Sequence, residues 1–93
     1  MKAWYLVCFD ISDDRVRTRL GKLLLRHGYR VQESVFEIAV ATPAQLRELR
    51  RQVLHLIEDE NEVRFYRLCR DCRQASSRVD GQPVAGFPST VIV

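Results

Sequence analysis

A single aspartate, placed directly after the first apolar segment, is the residue of this chain best positioned for chemistry. The run Trp4–Phe9 is apolar and rich in aromatic residues, and Asp10 follows it immediately. Such a run predicts a buried strand, so the Asp10 carboxylate is expected where a strand meets a loop. A carboxylate there can bind a hard cation such as Mg²⁺. It can equally cap the next helix or pair with an arginine, and spacing alone leaves both interpretations open.

One aspartate is a poor magnesium site by itself. Mg²⁺ normally takes one or two carboxylates together with waters and phosphate oxygens. A twofold axis near Asp10 would bring two copies of this carboxylate together, so that one ion would be held by two chains. The metal hypothesis therefore requires a homodimer.

Arginine is the second feature with chemical meaning. The 93-residue chain has 15 Lys and Arg against 12 Asp and Glu, which gives a net charge of +3. At about 100° per residue, the first predicted helix carries a basic stripe beside its apolar stripe. The basic stripe consists of Arg15, Arg19, Lys22 and Arg26. Arginine forms bidentate bonds with phosphate, so the stripe predicts nucleic-acid binding, with a merely solvated face as the alternative.

Cysteine and histidine give weaker signals. Cys69 and Cys72 form a CxxC, but structural zinc needs four ligands and thioredoxin-like exchange needs a helix directly after the motif. The sequence predicts no helix there, so unreactive thiols in a turn are the favoured interpretation. His27 falls on an apolar helix stripe and is predicted to be packed, and His55 is predicted to be solvated.

The elements that must position these residues follow from periodicity and from turn signals. The first half of the chain is predicted to contain a strand at Trp4–Phe9, a helix from Asp13 to His27 that stops at Gly28, and a strand region Tyr29–Ala41 with a bulge or bend near 33–35. The second half is predicted to contain a helix capped by Thr42 and running to Ile57, and a strand Glu62–Leu68. A turn at Asp80–Gly81 and a short strand Val91–Val93 complete the prediction. This order predicts an α+β sandwich, ferredoxin-like in layout, with both helices on one sheet face. A second copy of the chain is the simplest cover for the other face.

Size and composition narrow the class of protein. We expect one domain spanning residues 1–93, with a core that is modest for so short a chain. The sequence has no apolar stretch near the ~20 residues that span a membrane. Its three cysteines, an odd number, argue against a secreted disulfide framework. We therefore expect a cytoplasmic protein without a membrane partner.

Several segments together resemble one known family, the small CRISPR-associated spacer-acquisition proteins called Cas Two, whose family name includes endoribonuclease. The resemblance rests on Tyr5–Asp14, on Arg17 and Arg19, on Gly28–Glu37, on Thr42–Leu46 and on Val63–Cys69. These segments contain a D-I-x-D-D motif and a Q-x-S-V-F-E motif, occur in the family's order and cover about two-thirds of the chain.

The resemblance implies a ferredoxin-like βαββαβ domain that dimerises through its sheets. It implies that an extra C-terminal strand, within an extension over residues 79–93, pairs with the partner subunit. Asp10 matches the metal-binding aspartate of the family, with Mg²⁺ as the cofactor. Positions that match residues linked to nuclease activity are Arg17, Arg19, Arg30 and Phe36. Phe9 stands where the family usually has tyrosine.

Three functional hypotheses follow. The first is a dimeric Mg²⁺-dependent phosphodiesterase that cleaves RNA or DNA. The second is a non-catalytic adaptor that bridges two dimers of the CRISPR integrase, the first Cas protein, while it grips duplex DNA during spacer acquisition. The third, a regulatory module that binds a small ligand, is allowed by the fold but gains no support from Asp10 or the arginines. The sequence leaves RNA and duplex DNA open as targets.

Overall fold

The fold is an antiparallel sheet with two helices packed on one face. The computed structural model describes residues 2–86. Its elements are β1 (Ala3–Phe9), α1 (Asp14–Leu25), β2 (Gly28–Gln32), β3 (Val35–Val40), α2 (Pro43–Leu56), β4 (Val63–Leu68) and α3 (Arg70–Ala75). The strands lie in the order β2-β3-β1-β4, and every neighbouring pair is antiparallel. This arrangement confirms the predicted ferredoxin-like α+β fold.

The core lies between the sheet and the two long helices. Alternate residues of β1 and β3, including Val7, Phe36 and Ile38, point to the helices and are fully buried. Leu20 and Leu24 of α1, together with Leu49 and Val53 of α2, close the core from the other side. The apolar stripes predicted for both helices are therefore the faces that pack.

Side-chain caps begin both long helices: Thr42 is the cap that the sequence predicts, whereas Asp13, predicted as a residue of the helix, is the cap just before it. The Asp13 carboxylate accepts the backbone N–H groups of Arg15 and Val16, at 2.8 and 3.2 Å. The Thr42 hydroxyl accepts the N–H of Gln45, and the Gln45 side chain accepts the N–H of Ala41. The bonds to Asp13 and Thr42 satisfy N–H groups that the first turn of a helix leaves without partners, and the bond to Gln45 satisfies the N–H just before the cap.

Periodicity alone predicts one bent strand over Tyr29–Ala41, which is wrong, whereas the two strands of the βαββαβ order that the resemblance implies are confirmed. The chain reverses at residues 33–34 and forms the β2–β3 hairpin, while the bulge lies earlier, between Arg30 and Gln32. The break in alternation at 33–35 therefore marked a reversal of the chain. Gly28 is also not the helix stop, since α1 ends at Leu25. Gly28 is required because a Cβ there would lie 1.9 Å from the carbonyl oxygen of Glu37.

A helix follows the CxxC, which corrects a second prediction. Cys69 is the N-cap of α3, and Cys72 lies in the first turn of that helix. The helix is too short to show an apolar period, and for that reason the sequence did not reveal it.

The outer face of the sheet, opposite α1 and α2, is partly covered by the chain itself. The guanidinium of Arg73 in α3 lies 3.8 Å from the centre of the Trp4 ring. Beyond α3, a bridge between Ser77 and Pro83 closes a loop that contains the predicted Asp80–Gly81 turn. Ala85 is buried. The predicted strand Val91–Val93 lies outside the described residues.

Among the helices of residues 2–86, none combines the length and the apolar character that crossing a bilayer requires.

Candidate nucleic-acid interface and metal site

Asp10 lies where β1 leaves the sheet, and its carboxylate faces solvent. Its backbone N–H donates to the carbonyl of Glu62 at 2.9 Å, and the N–H of Phe9 donates to the carbonyl of Ser34 at 3.1 Å. The end of β1 is therefore fixed from both sides. Within residues 2–86, the Asp10 side chain has no hydrogen bond or ion pair, so both carboxylate oxygens are free for a ligand.

The donor chemistry at Asp10 fits a magnesium ion only in part. A free carboxylate on a fixed strand end is a suitable oxygen ligand. However, no group of three or more His, Cys, Asp or Glu residues in the described part of the chain could hold a metal ion. Within residues 2–86, Asp10 is therefore not part of a cluster of three or more such side chains, and one chain does not complete a magnesium site there.

Arg17 positions the loop that carries Asp10. One of its guanidinium nitrogens donates to the carbonyl oxygens of Ile11 and Ser12, at 2.8 and 2.9 Å. Its other terminal nitrogen pairs with the carboxylate of Asp14. Because hydrogen bonds from a charged donor are stronger than neutral ones, these contacts hold the loop between β1 and α1 in place. Arg17 is therefore a positioning residue for the Asp10 loop.

Arg17 and Arg30 meet in one small cleft beside the end of β1. The cleft, of about 150 Å³, is lined by Phe9, Arg17, Thr18, Arg30 and Glu33. Two predicted arginines thus lie together next to the residue that precedes Asp10. Glu33 also lines the cleft and Arg17 is already paired with Asp14, so Arg30 is the cation that could contact an anionic group such as a phosphate there.

Phe36 is the platform beneath this cleft. Its ring is fully buried and stacks on Phe9, with the ring centres 5.9 Å apart. The Arg30 guanidinium lies 5.2 Å above the centre of the Phe36 ring. Gly21 leaves room for Arg30, because a Cβ there would lie 2.9 Å from a guanidinium nitrogen. Phe36 therefore supports the Arg30 side chain, and its fully buried ring has no exposed surface.

The basic stripe of α1 lies elsewhere, along a groove between α1 and α2. All four cations of the stripe are exposed. The groove, of about 350 Å³, is lined by Arg19, Lys22, Leu23, Arg26, Gln52, His55 and Leu56. The structure thus places Arg19 with Lys22 and Arg26, and Arg15 on the same stripe near the start of the helix. The predicted arginines form two sites, a cleft beside Asp10 and this interhelical groove.

The contribution of α2 to the groove was missed by the sequence analysis. Gln52 and His55 face the α1 cations across it, and a nitrogen of Arg51 lies 3.3 Å from Nε2 of His55. The sequence predicts only that His55 is exposed to solvent on the polar side of α2. A signal for the groove would have required the knowledge that the two helices lie side by side.

Burial shifts three titratable groups near the sheet. Desolvation lowers the pKa of His27, and the charge of Arg26 lowers it further. Desolvation raises the pKa of Glu37, opposed by the backbone N–H of Ala85, which donates to its carboxylate. Burial also raises the pKa of the Cys8 thiol. The lowered pKa of His27 agrees with the packed histidine that the sequence predicts.

A family profile and individual protein sequences both match this chain to Cas2 proteins. The family profile described as CRISPR associated protein Cas2 matches residues 1–75. A Chloroflexus aurantiacus protein named CRISPR-associated endoribonuclease Cas2 1 is 45% identical over 83 residues, which cover 86% of this chain and 88% of that protein. A Synechocystis protein named CRISPR-associated endoribonuclease Cas2 3 is 32% identical over 90 residues, which cover 96% and 97%.

Solved structures agree with these relatives. A chain from a partial Cas6-RT-Cas1–Cas2 complex superposes with a TM-score of 0.84 at 38% identity, covering 91% of this chain and 99% of that one. Streptococcus pyogenes Cas2 superposes with a TM-score of 0.65 at 25% identity, covering 85% and 99%.

Proposed function

This chain belongs to the Cas2 family of CRISPR-associated proteins, and on that premise we propose that two copies form a dimer that binds nucleic acid and cleaves its phosphodiester bonds with Mg²⁺. The observation that carries the proposal is the solvent-facing, unpaired carboxylate of Asp10 on a fixed strand end. Relatives named endoribonuclease support the reaction class.

Dimerisation supplies what one chain lacks. A twofold axis beside Asp10 places two carboxylates around one ion. The outer face of the sheet is the proposed contact, because Val31 and Tyr66 remain 44% and 47% exposed there. We propose that the extension 79–93 takes part in the same contact: residues 83–86 line a cleft beside Val31, and residues 87–93 lie outside the described part of the chain.

The residues around Asp10 would have different roles in the cleavage reaction. When bound, Mg²⁺ would polarise a phosphoryl oxygen and lower the pKa of a bound water. Arg30, on its Phe36 platform, would contact the phosphate and neutralise developing charge. Arg17 would keep the Asp10 loop in a fixed position beside that phosphate.

The test is a cleavage assay on RNA and on duplex DNA, with Mg²⁺ and with a chelator. We expect Asp10→Asn to lose cleavage while it keeps the mass of the dimer in light scattering. Glu60→Gln is the matched control, since Glu60 is also exposed and carries the same charge. Full activity in Asp10→Asn would reject the proposed site.

A second function is favoured by the groove between α1 and α2. Three exposed cations line this groove, apart from the cleft beside Asp10, and Arg15 is exposed on the same helix stripe. We propose that this face grips the backbone of duplex DNA while the dimer bridges two integrase dimers in spacer acquisition. The similarity to a chain from a Cas1–Cas2 complex supports an integrase partner.

The two functions are separable by mutation. Asp10→Asn would still support spacer acquisition if the adaptor role is the essential one, whereas reversal of charge at Arg15, Arg19 and Lys22 would abolish it. Spacer acquisition that survives the charge reversal would exclude the bridge.

A further inference from the structure

The CxxC lies at the turn where the chain leaves the sheet and enters α3. Cys69 follows the last residue of β4 and is the N-cap of the helix, and Cys72 is three residues further on. Both side chains are exposed. The backbone N–H of Cys72 donates to the Cys69 sulfur at 3.2 Å, so the turn holds the first sulfur in a fixed position.

The two thiols interact, and their pKa values shift in opposite directions. Hydrogen bonds from the Cys72 side chain and then from its backbone lower the pKa of Cys69. The same contact between the side chains raises the pKa of Cys72. Because the backbone N–H of Cys72 donates to the Cys69 sulfur, a thiolate is favoured on Cys69, which makes it the attacking thiol of the pair.

The third cysteine provides an internal contrast. Cys8 lies in β1 and is only partly accessible. A thiol with restricted access reacts slowly with disulfides. The chain therefore combines one activated thiol, one partner thiol and one thiol expected to be inert.

We propose that Cys69 and Cys72 form a redox-active pair that exchanges with low-molecular-weight disulfides of the glutathione class and closes a reversible Cys69–Cys72 disulfide. A zinc site is the poorer explanation, because structural zinc takes four ligands and no group of three or more suitable residues exists in residues 2–86. The spacing suits a disulfide, since residues three apart at the start of a helix are neighbours on its surface.

The exchange balances in two steps. The Cys69 thiolate attacks one sulfur of glutathione disulfide; the S–S bond breaks, a mixed disulfide forms on Cys69, and glutathione leaves as thiolate. Cys72 then loses its proton and attacks the Cys69 sulfur, which releases the second glutathione. The two cysteines lose two electrons and two protons in total, and glutathione disulfide gains them as two thiols.

The experiment titrates the full chain with mixtures of oxidised and reduced glutathione and measures the intact mass without reductant. We expect a monomeric disulfide species, lighter by two hydrogens, whose fraction rises with the oxidised share and falls when reductant is added. Cys8→Ser should behave as the wild type. An unchanged mass at every ratio, or a disulfide that only links two chains, would overturn the proposal.

Single variants assign the roles of the two thiols. Cys72→Ser should accumulate one glutathione adduct on Cys69, because no second thiol can displace it. Cys69→Ser should form an adduct on Cys72 more slowly, and thermal melting checks that both variants stay folded. Equal rates for the two variants would contradict the assignment of Cys69 as the attacking thiol.

Discussion

Removal of two cations from the interhelical groove should weaken nucleic-acid binding by an amount that the salt dependence predicts. The basic stripe of α1 presents four exposed cations per chain, and a dimer therefore presents eight. If each neutralises one phosphate of duplex DNA, log K falls with log salt at a slope of about −7. Between about 50 and about 200 mM salt, the affinity of the dimer should then fall roughly 10⁴-fold.

The variant Arg19→Gln with Lys22→Gln leaves two stripe cations per chain. Its slope should be about −3.6, and its affinity should fall only roughly 150-fold over the same salt range. Fluorescence anisotropy with a labelled duplex at several salt concentrations measures both slopes. The equivalent RNA, run in parallel, tests which target is preferred.

The matched control removes the same charge from another part of the chain. Arg47→Gln with Arg50→Gln takes two exposed cations from α2, and neither of them lines the groove. The slope of this control should stay near that of the wild type. Equal slopes for the groove variant and the control would show that net charge, and not the groove, governs binding.

Three further predictions follow from single contacts. Gly28→Ala should lower the free energy of unfolding, measured by chemical denaturation, by about 3 kcal/mol, because the added Cβ would clash with the backbone of β3. Gly86→Ala is the control: its Cβ would meet no atom within 4 Å, so the free energy of unfolding should change by less than about 0.5 kcal/mol. Arg17→Gln should lower the free energy of unfolding by about 2 kcal/mol, because two hydrogen bonds to loop carbonyls are lost. The variant should also cleave more slowly while the groove still binds nucleic acid. An unchanged free energy of unfolding would contradict the role of Arg17 in holding the Asp10 loop. The raised pKa of Glu37 favours the folded state below the usual glutamate pKa of about 4.3, and this contribution is lost as the pH rises through the raised value. Melting temperatures measured between about pH 4 and about pH 7 should therefore fall less with pH in Glu37→Gln than in the wild type, and parallel curves would refute this.

The sequence predicted the elements whose signals are local. The apolar stripes of both helices, the cap at Thr42 and the buried strand before Asp10 are confirmed. Each depends on residues within one or two turns of each other, so periodicity and capping chemistry suffice to find them.

The errors concern features that depend on distant parts of the chain. Gly28 resembled a helix stop, but its role depends on the backbone of β3, which packs against it. The six-residue helix α3 has too few residues for a period, and its start is set by the sulfur of Cys69. The separation of the arginines into a cleft and a groove depends on how α1 lies against α2 and β2. Their spacing along the sequence does not encode it.

The most direct test of the shared metal site is the stoichiometry of ion binding. Mn²⁺, a paramagnetic substitute with oxygen ligands like those of Mg²⁺, can be titrated into the full chain and followed by electron paramagnetic resonance. The shared site predicts one tightly bound ion per two chains in the wild type and none in Asp10→Asn. One ion per chain, or the same binding in Asp10→Asn, would contradict the placement of two Asp10 carboxylates around one ion.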